Sequence, residues 1–152
     1  MKILILGDVM GASGRKVIKN KLPQLIKDKD INFVIVNGEN ASDDGRGLTE
    51  EIVKEFFNCG VDVVTSGNHI WDKQEIINYI EKEKRLLRPA NLAEGSPGRG
   101  FEIYFSKNKK YKIGVINLMG NVFMRKTEDV FKTAKEICKK IVLKKNVDFL
   151  VI

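Results

Sequence analysis

The segment FVIVNGEN, residues 33–40, decides the fold. Phe33–Val36 is an unbroken apolar run with no polar face, which reads as a strand buried on both sides. It stops at Asn37-Gly38 and delivers Glu39-Asn40. The same phrase recurs on either side. Ile3–Leu6 runs into Gly7-Asp8, and Val61–Thr65 runs through Ser66-Gly67 into Asn68-His69. Helical stretches separate these strands. One spans Ser13–Lys29, with Val17, Ile18, Leu22, Leu25 and Ile26 on one side, and Pro23 is expected to break or restart it. Another opens with Thr49 as cap, presents Ile52, Val53, Phe56 and Phe57, and ends at Gly60. Strand–helix alternation of this kind predicts a parallel sheet with right-handed crossovers, an α/β fold.

Farther along, Asp72 with Glu75 three residues later reads as a capping box, opening a helix with Ile76, Ile77 and Ile80 inward. The pattern then changes. Phe101–Phe105 and Tyr111–Ile116 flank the turn-like Ser106–Lys110, a hairpin signature. A long helix is expected over Thr127–Asn146, with Val130, Phe131, Ala134, Ile137, Cys138, Ile141 and Val142 at helical spacing. Phe149–Ile152 reads as a further strand. No internal repeat or linker divides the chain, so residues 1–152 are expected to form one domain.

Composition narrows the function classes. The 152 residues carry 27 Lys and Arg against 20 Asp and Glu, a net charge of +7, which favours anionic partners without naming one. No apolar stretch approaches the roughly 18 residues of a membrane helix. The two cysteines, Cys59 and Cys138, lie far apart in expected helices, which fits a reducing cytoplasm rather than a disulfide framework. Two cysteines and the single histidine, His69, cannot build a structural zinc site.

Three expected strand ends carry polar groups: Asp8, Glu39-Asn40 and Asn68-His69. The carboxyl edge of a parallel sheet is where ligands gather, because the loops there converge. Two carboxylates with amide oxygens suit a hard or borderline divalent cation. The glycines before each group, Gly7, Gly38 and Gly67, are expected to permit sharp strand-to-loop turns. Taken singly, Asp8 reads equally as a helix or turn cap and Glu39-Asn40 as an Asx-type turn; the coincidence of three such ends favours a site. The glycines of residues 7–14 do not form G-x-G-x-x-G, and Asp8 sits where a pyrophosphate would approach, which argues against dinucleotide binding. The Lys-rich segments 107–112 and 139–145 read as solvated faces.

Gly7-Asp8, Gly38-Glu39-Asn40 and Gly67-Asn68-His69 resemble the first three motifs of the calcineurin-like metallophosphoesterases. The longer strings VNGENASDDGRGLT, TSGNHIWDKQEI, RPANLAEGSPGRG and INLMGNVFM resemble the YmdB-like branch of that family, from Met1 to Ile152. The resemblance implies a metallophosphoesterase-type α/β sandwich holding two divalent metal ions, manganese or iron, with magnesium or zinc as alternatives. It implies Asp8 and Asn40 as ligands of the first metal, Glu39 as the bridge, Asn68 as a ligand of the second, and His69 as the catalytic group near the scissile phosphate. The implied activity is hydrolysis of a phosphodiester substrate, a small cyclic nucleotide or an RNA-derived phosphodiester, by a cytoplasmic protein, with homo-oligomers left open. The family pattern continues with further histidines, so the chain is expected to represent the fold without its C-terminal strands and helices. An inactive truncated remnant and a basic nucleic-acid-binding module stand as the rival expectations.

Overall fold

The structure is a computed structural model that describes residues 1–124 and 126–152. Four strands form a parallel sheet in the order β1-β2-β3-β4: β1 Ile3–Leu6, β2 Phe33–Asn37, β3 Val63–Thr65 and β4 Leu86–Leu87. Helices α1 Gly11–Lys29, α2 Glu50–Asn58 and α3 Ile76–Lys82 connect them. A second sheet, β5-β6-β7, pairs β5 Phe101–Phe105 antiparallel to β6 Lys112–Ile116, and β6 parallel to β7 Phe149–Val151. Helix α4, Val130–Lys140, lies between β6 and β7 in sequence.

Strand periodicity explains the layering. Alternate residues of a strand face opposite sides. Val34, Val36, Val64 and Leu86 pack with Ile18 and Leu22 of α1, Ile52, Val53 and Phe56 of α2, and Ile76 and Ile80 of α3. Their neighbours Phe33, Ile35, Val63 and Leu87 pack instead against Ile113 and Val115 of the second sheet, with Tyr104, Phe149 and Val151 around them. The opposite face of the second sheet, through Ile103, Ile116 and Leu150, packs on Ile137 of α4 and Ile141 after it. The result is a helix–sheet–sheet–helix sandwich, the α/β class expected.

Several local expectations are corrected. Helix α1 runs through Pro23 without a break. Proline removes one backbone donor, but Ile18 and Leu22 stay buried on the sheet, and that packing outweighs the lost bond. The capping box at Asp72 does not form: α3 begins at Ile76 with Glu75 as an uncapped N-terminus. The last helix is shorter than its apolar spacing implied. Asp129 caps it by accepting from Lys132 N, and Asn146 stops it by accepting from Val142 N and donating to the Lys140 carbonyl. Phe131, in the first turn of this helix, is exposed rather than inward. The two-residue strand β4 escaped the sequence reading. The Thr49 cap forms as expected, with its hydroxyl accepting from Ile52 N at 3.2 Å.

Leu86 and Leu87 are adjacent, fully buried, and face different layers. Leu86→Ala and Leu87→Ala should therefore cost similar amounts, about 2–5 kcal/mol each. Ile5→Ala, on the edge strand and 57% exposed, should cost about 0.5 kcal/mol or less. Urea-unfolding midpoints at constant m-value check the comparison.

Candidate functional site

The register of the parallel sheet aligns the ends of its strands. Leu6 pairs with Val36 and Asn37 with Thr65, so Asp8, Glu39-Asn40 and Asn68-His69 emerge at one edge. Backbone bonds fix these exits: Val9 N donates to the Asn37 carbonyl, Gly38 N to Thr65, and Gly11 N to Asn40. Asp8 and Asn40 meet directly, the Asn40 amide donating to both Asp8 carboxylate oxygens at 2.9 and 3.0 Å. Asp8 does not cap α1, whose N-cap is Met10 without a side-chain bond. The Asx-type turn forms one step earlier than expected, with the Asn37 side chain accepting from Glu39 N at 3.1 Å.

Glu39 is the unusual group. Its carboxylate lies over Gly67, where a Cβ would fall inside bonding distance of Glu39 Oε2. Burial pushes its pKa up, and the Asp8 charge adds to the rise; His69 and the backbone N–H groups of Asn68 and His69 pull the other way. Oε2 is buried and accepts no hydrogen bond. A buried carboxylate oxygen without a donor is costly unless something positive meets it. The glycines also prove to have different roles from those expected. None of Gly7, Gly38 and Gly67 adopts a left-handed backbone. Gly67 makes room for the Glu39 carboxylate, and Gly38 fits tightly under Phe56 and Leu48, while nothing crowds Gly7.

His69 is half-buried and its Nδ1 donates to Asp72 Oδ2 at 2.7 Å. A carboxylate only accepts, so this bond places the proton on Nδ1 and leaves Nε2 as the ring's basic nitrogen when neutral. Asp72, which the sequence suggests as a helix cap, instead holds the His69 ring; the His-x-x-Asp spacing is its visible signal. The loops bearing Glu39 and His69 are locked together. Gly47 packs against the His69 carbonyl and Asp72, and Lys73 Nζ donates to Asp44 at 2.6 Å, holding that exposed carboxyl below its ordinary range. Arg15 ties the first loop to α1, donating to the Ala41 carbonyl and to Asp43.

The donor set is two carboxylates, two amides and one imidazole. No cluster of three or more His, Cys, Asp or Glu with metal-binding geometry occurs among the described residues. The oxygen-rich set and the unpartnered Glu39 oxygen nevertheless suit a hard or borderline divalent cation, one whose remaining positions go to water, substrate or other groups. A surface cavity of about 940 Å³ beside Lys19, Pro23 and Glu55 lies away from this edge, whereas one of about 480 Å³ adjoins Asp8.

The architecture is a two-sheet α/β sandwich with acidic and amide side chains gathered at one edge of its parallel sheet. The chain belongs to the YmdB-like family, whose model matches residues 4–152. It is 44% identical over 137 residues to a 2′,3′-cyclic-nucleotide 2′-phosphodiesterase of Bacillus subtilis (strain 168), covering 90% of this chain and 51% of that protein. The crystal structure of a novel phosphatase from Mycoplasma pneumoniae superposes with a TM-score of 0.86 at 34% identity, covering 99% of this chain and 53% of that one. A hypothetical protein from Thermus thermophilus superposes equally well, at 0.86 and 32% identity, with 99% and 56% covered. The chain thus spans about half the length of these relatives.

The Nδ1–H tautomer is open to direct observation, because His69 is the sole histidine. With the ring neutral, ¹⁵N–¹H correlation spectra should show the proton on Nδ1 in the wild type. Asp72→Ala should return it to the Nε2–H form that free imidazole side chains prefer. An Nε2–H wild-type ring would refute the assignment.

Proposed function

We propose that the chain carries part of the active site of a metal-dependent phosphodiesterase, with Asp8, Glu39, Asn40 and Asn68 as metal ligands and His69 as the catalytic group. The observation that carries this reading is the buried, unpartnered Glu39 oxygen lying over Gly67 beside Asn68-His69. Divalent cations held there would neutralise phosphate charge and lower the pKa of a bound water. Two such ions, manganese or iron, accord with the family likeness, and Glu39 would serve both. Four oxygen ligands cannot fill two six-coordinate shells, so substrate, water and further groups complete them.

The chain's own residues divide the remaining work. Asp8 and Asn40 form a hydrogen-bonded pair that presents oxygen at the mouth of the site. His69, oriented through Nδ1 by Asp72, would act as the imidazolium, giving its Nε2 proton to the leaving oxygen as the ester bond breaks and keeping the Nδ1 proton in the Asp72 bond. The substrate we infer is a small cyclic nucleotide or an RNA-derived phosphodiester; the Bacillus relative is named for a cyclic nucleotide. A cytoplasmic setting fits the two free cysteines, and no helix among the described residues is long and apolar enough to cross a membrane. Residues 1–152 act as a single unit in this reading, and self-association of that unit accords with its exposed apolar residues such as Val17 and Ile5.

Manganese at a hundredfold excess over its Kd should stabilise the chain by about 2.7 kcal/mol. That is on the order of 5–10 °C in Tm for a domain of this size. Glu39→Gln should lose the shift, while His69→Ala should keep it and, in the full-length protein, lower turnover of a phosphodiester by roughly 10²–10⁴. An undiminished shift in Glu39→Gln, measured by calorimetry, would remove Glu39 from the site.

A further inference from the structure

Asn117 follows β6 in the second sheet, yet its side chain reaches the first sheet at the site's edge. Its amide nitrogen donates to the Ser66 carbonyl at 2.7 Å and to the Leu87 carbonyl at 3.2 Å. The backbone of Asn117 is equally committed, donating to the Gly100 carbonyl at 2.9 Å and accepting from Ala90 N at 2.7 Å. The residue is therefore held on both sides and cannot drift.

The two side-chain bonds differ in weight. The Leu87 carbonyl already accepts from Ser66 N at 3.0 Å and from Ser66 Oγ at 2.9 Å. A carbonyl oxygen has two lone pairs, so the Asn117 bond to it is a third claim and the longest. The Ser66 carbonyl is the principal acceptor. That carbonyl belongs to the peptide joining Ser66 to Gly67, and Ser66 is buried. Gly67 is the residue over which the Glu39 carboxylate lies, and Asn68-His69 follow at once.

From this we infer that Asn117 is a positioning residue for the site: it sets the plane of the Ser66–Gly67 peptide, and through it the approach of Gly67 to Glu39 and the placement of Asn68. The inference rests on the metal-site reading for its functional consequence, though not for its structural one. No catalytic contact is needed. Without the amide donor, the buried Ser66 carbonyl has no side chain to meet it, and the peptide is free to rotate toward other donors.

Asn91 provides the comparison. It is fully buried and its amide donates to the Met119 and Glu128 carbonyls, so it braces the loop after β6 without touching the Ser66–Gly67 peptide. The experiment compares Asn117→Ala, the near-isosteric Asn117→Asp and Asn91→Ala in the 152-residue chain, by amide NMR without metal and by calorimetric titration with Mn²⁺. Both Asn117 variants should shift the Gly67 and Asn68 amide resonances and weaken Mn²⁺ binding at least tenfold, whereas Asn91→Ala should leave those resonances in place and the Mn²⁺ affinity within twofold of wild type. If Asn117→Ala fails to fold, Asn117→Asp, which keeps the shape but loses the donor, carries the comparison. Unmoved Gly67 and Asn68 resonances in the folded variants would overturn the inference, as would unchanged Mn²⁺ affinity. A wild-type chain that binds no Mn²⁺ would instead count against the metal-site reading, with the amide shifts still deciding the role of Asn117.

Discussion

The carboxylate of Glu39 occupies the space that any side chain at residue 67 would need. Much of the site depends on that one substitution of volume. It sets glycine at 67, it brings a carboxylate against the start of the Asn68-His69 segment, and it leaves Oε2 buried without a donor. Burial and Asp8 both disfavour the ionised form, opposed by His69 and two backbone N–H groups. Such an arrangement costs stability as it stands, a cost that a bound cation would offset. Strain of this kind, retained against the interest of folding, is the usual mark of a binding site.

The sandwich exists in a form that makes this contact possible. Strand β2 is buried on both faces, with Val34 and Val36 toward the helices and Phe33 and Ile35 toward the second sheet. A one-residue slip would exchange the two sets, so its register is tightly held. With Asn37 paired to Thr65, Glu39 and Gly67 lie the same number of residues past the ladder and meet. The second sheet then reaches across the edge through Asn117, and the loops after β2 and β3 are fastened to each other at Gly47 and by Lys73–Asp44. Rigid elements thus hold the groups whose chemistry requires fixed placement.

Much of this was legible in the sequence, and the misses share a cause. Apolar runs ending in glycine and a polar group located β1, β2, β3 and their edge, because burial on both faces leaves an unmistakable pattern. Pro23 misled because a tertiary contact, the packing of Ile18 and Leu22, overrules the local rule, and the Asp72–Glu75 pair misled because Asp72 is taken by a different local partner, the His69 ring three residues earlier. Periodicity overextended α4, since spacing cannot reveal that Asp129 and Asn146 would cap it from either end. The glycines were noticed for the right positions and the wrong reason, as backbone freedom matters at none of the three and close approach matters at two. Asn117 lies 51 residues from Ser66, and no local signal announces such a bond.

The central claim is that the missing side chain at residue 67 lets Glu39 form a cation site, and Gly67→Ala tests it most directly. Its backbone is not left-handed, and the group to be displaced is the end of a flexible side chain, so the variant should fold. Calorimetric titration with Mn²⁺ should show its affinity reduced at least tenfold relative to the wild-type chain. Wild-type affinity in a folded Gly67→Ala protein would contradict the account.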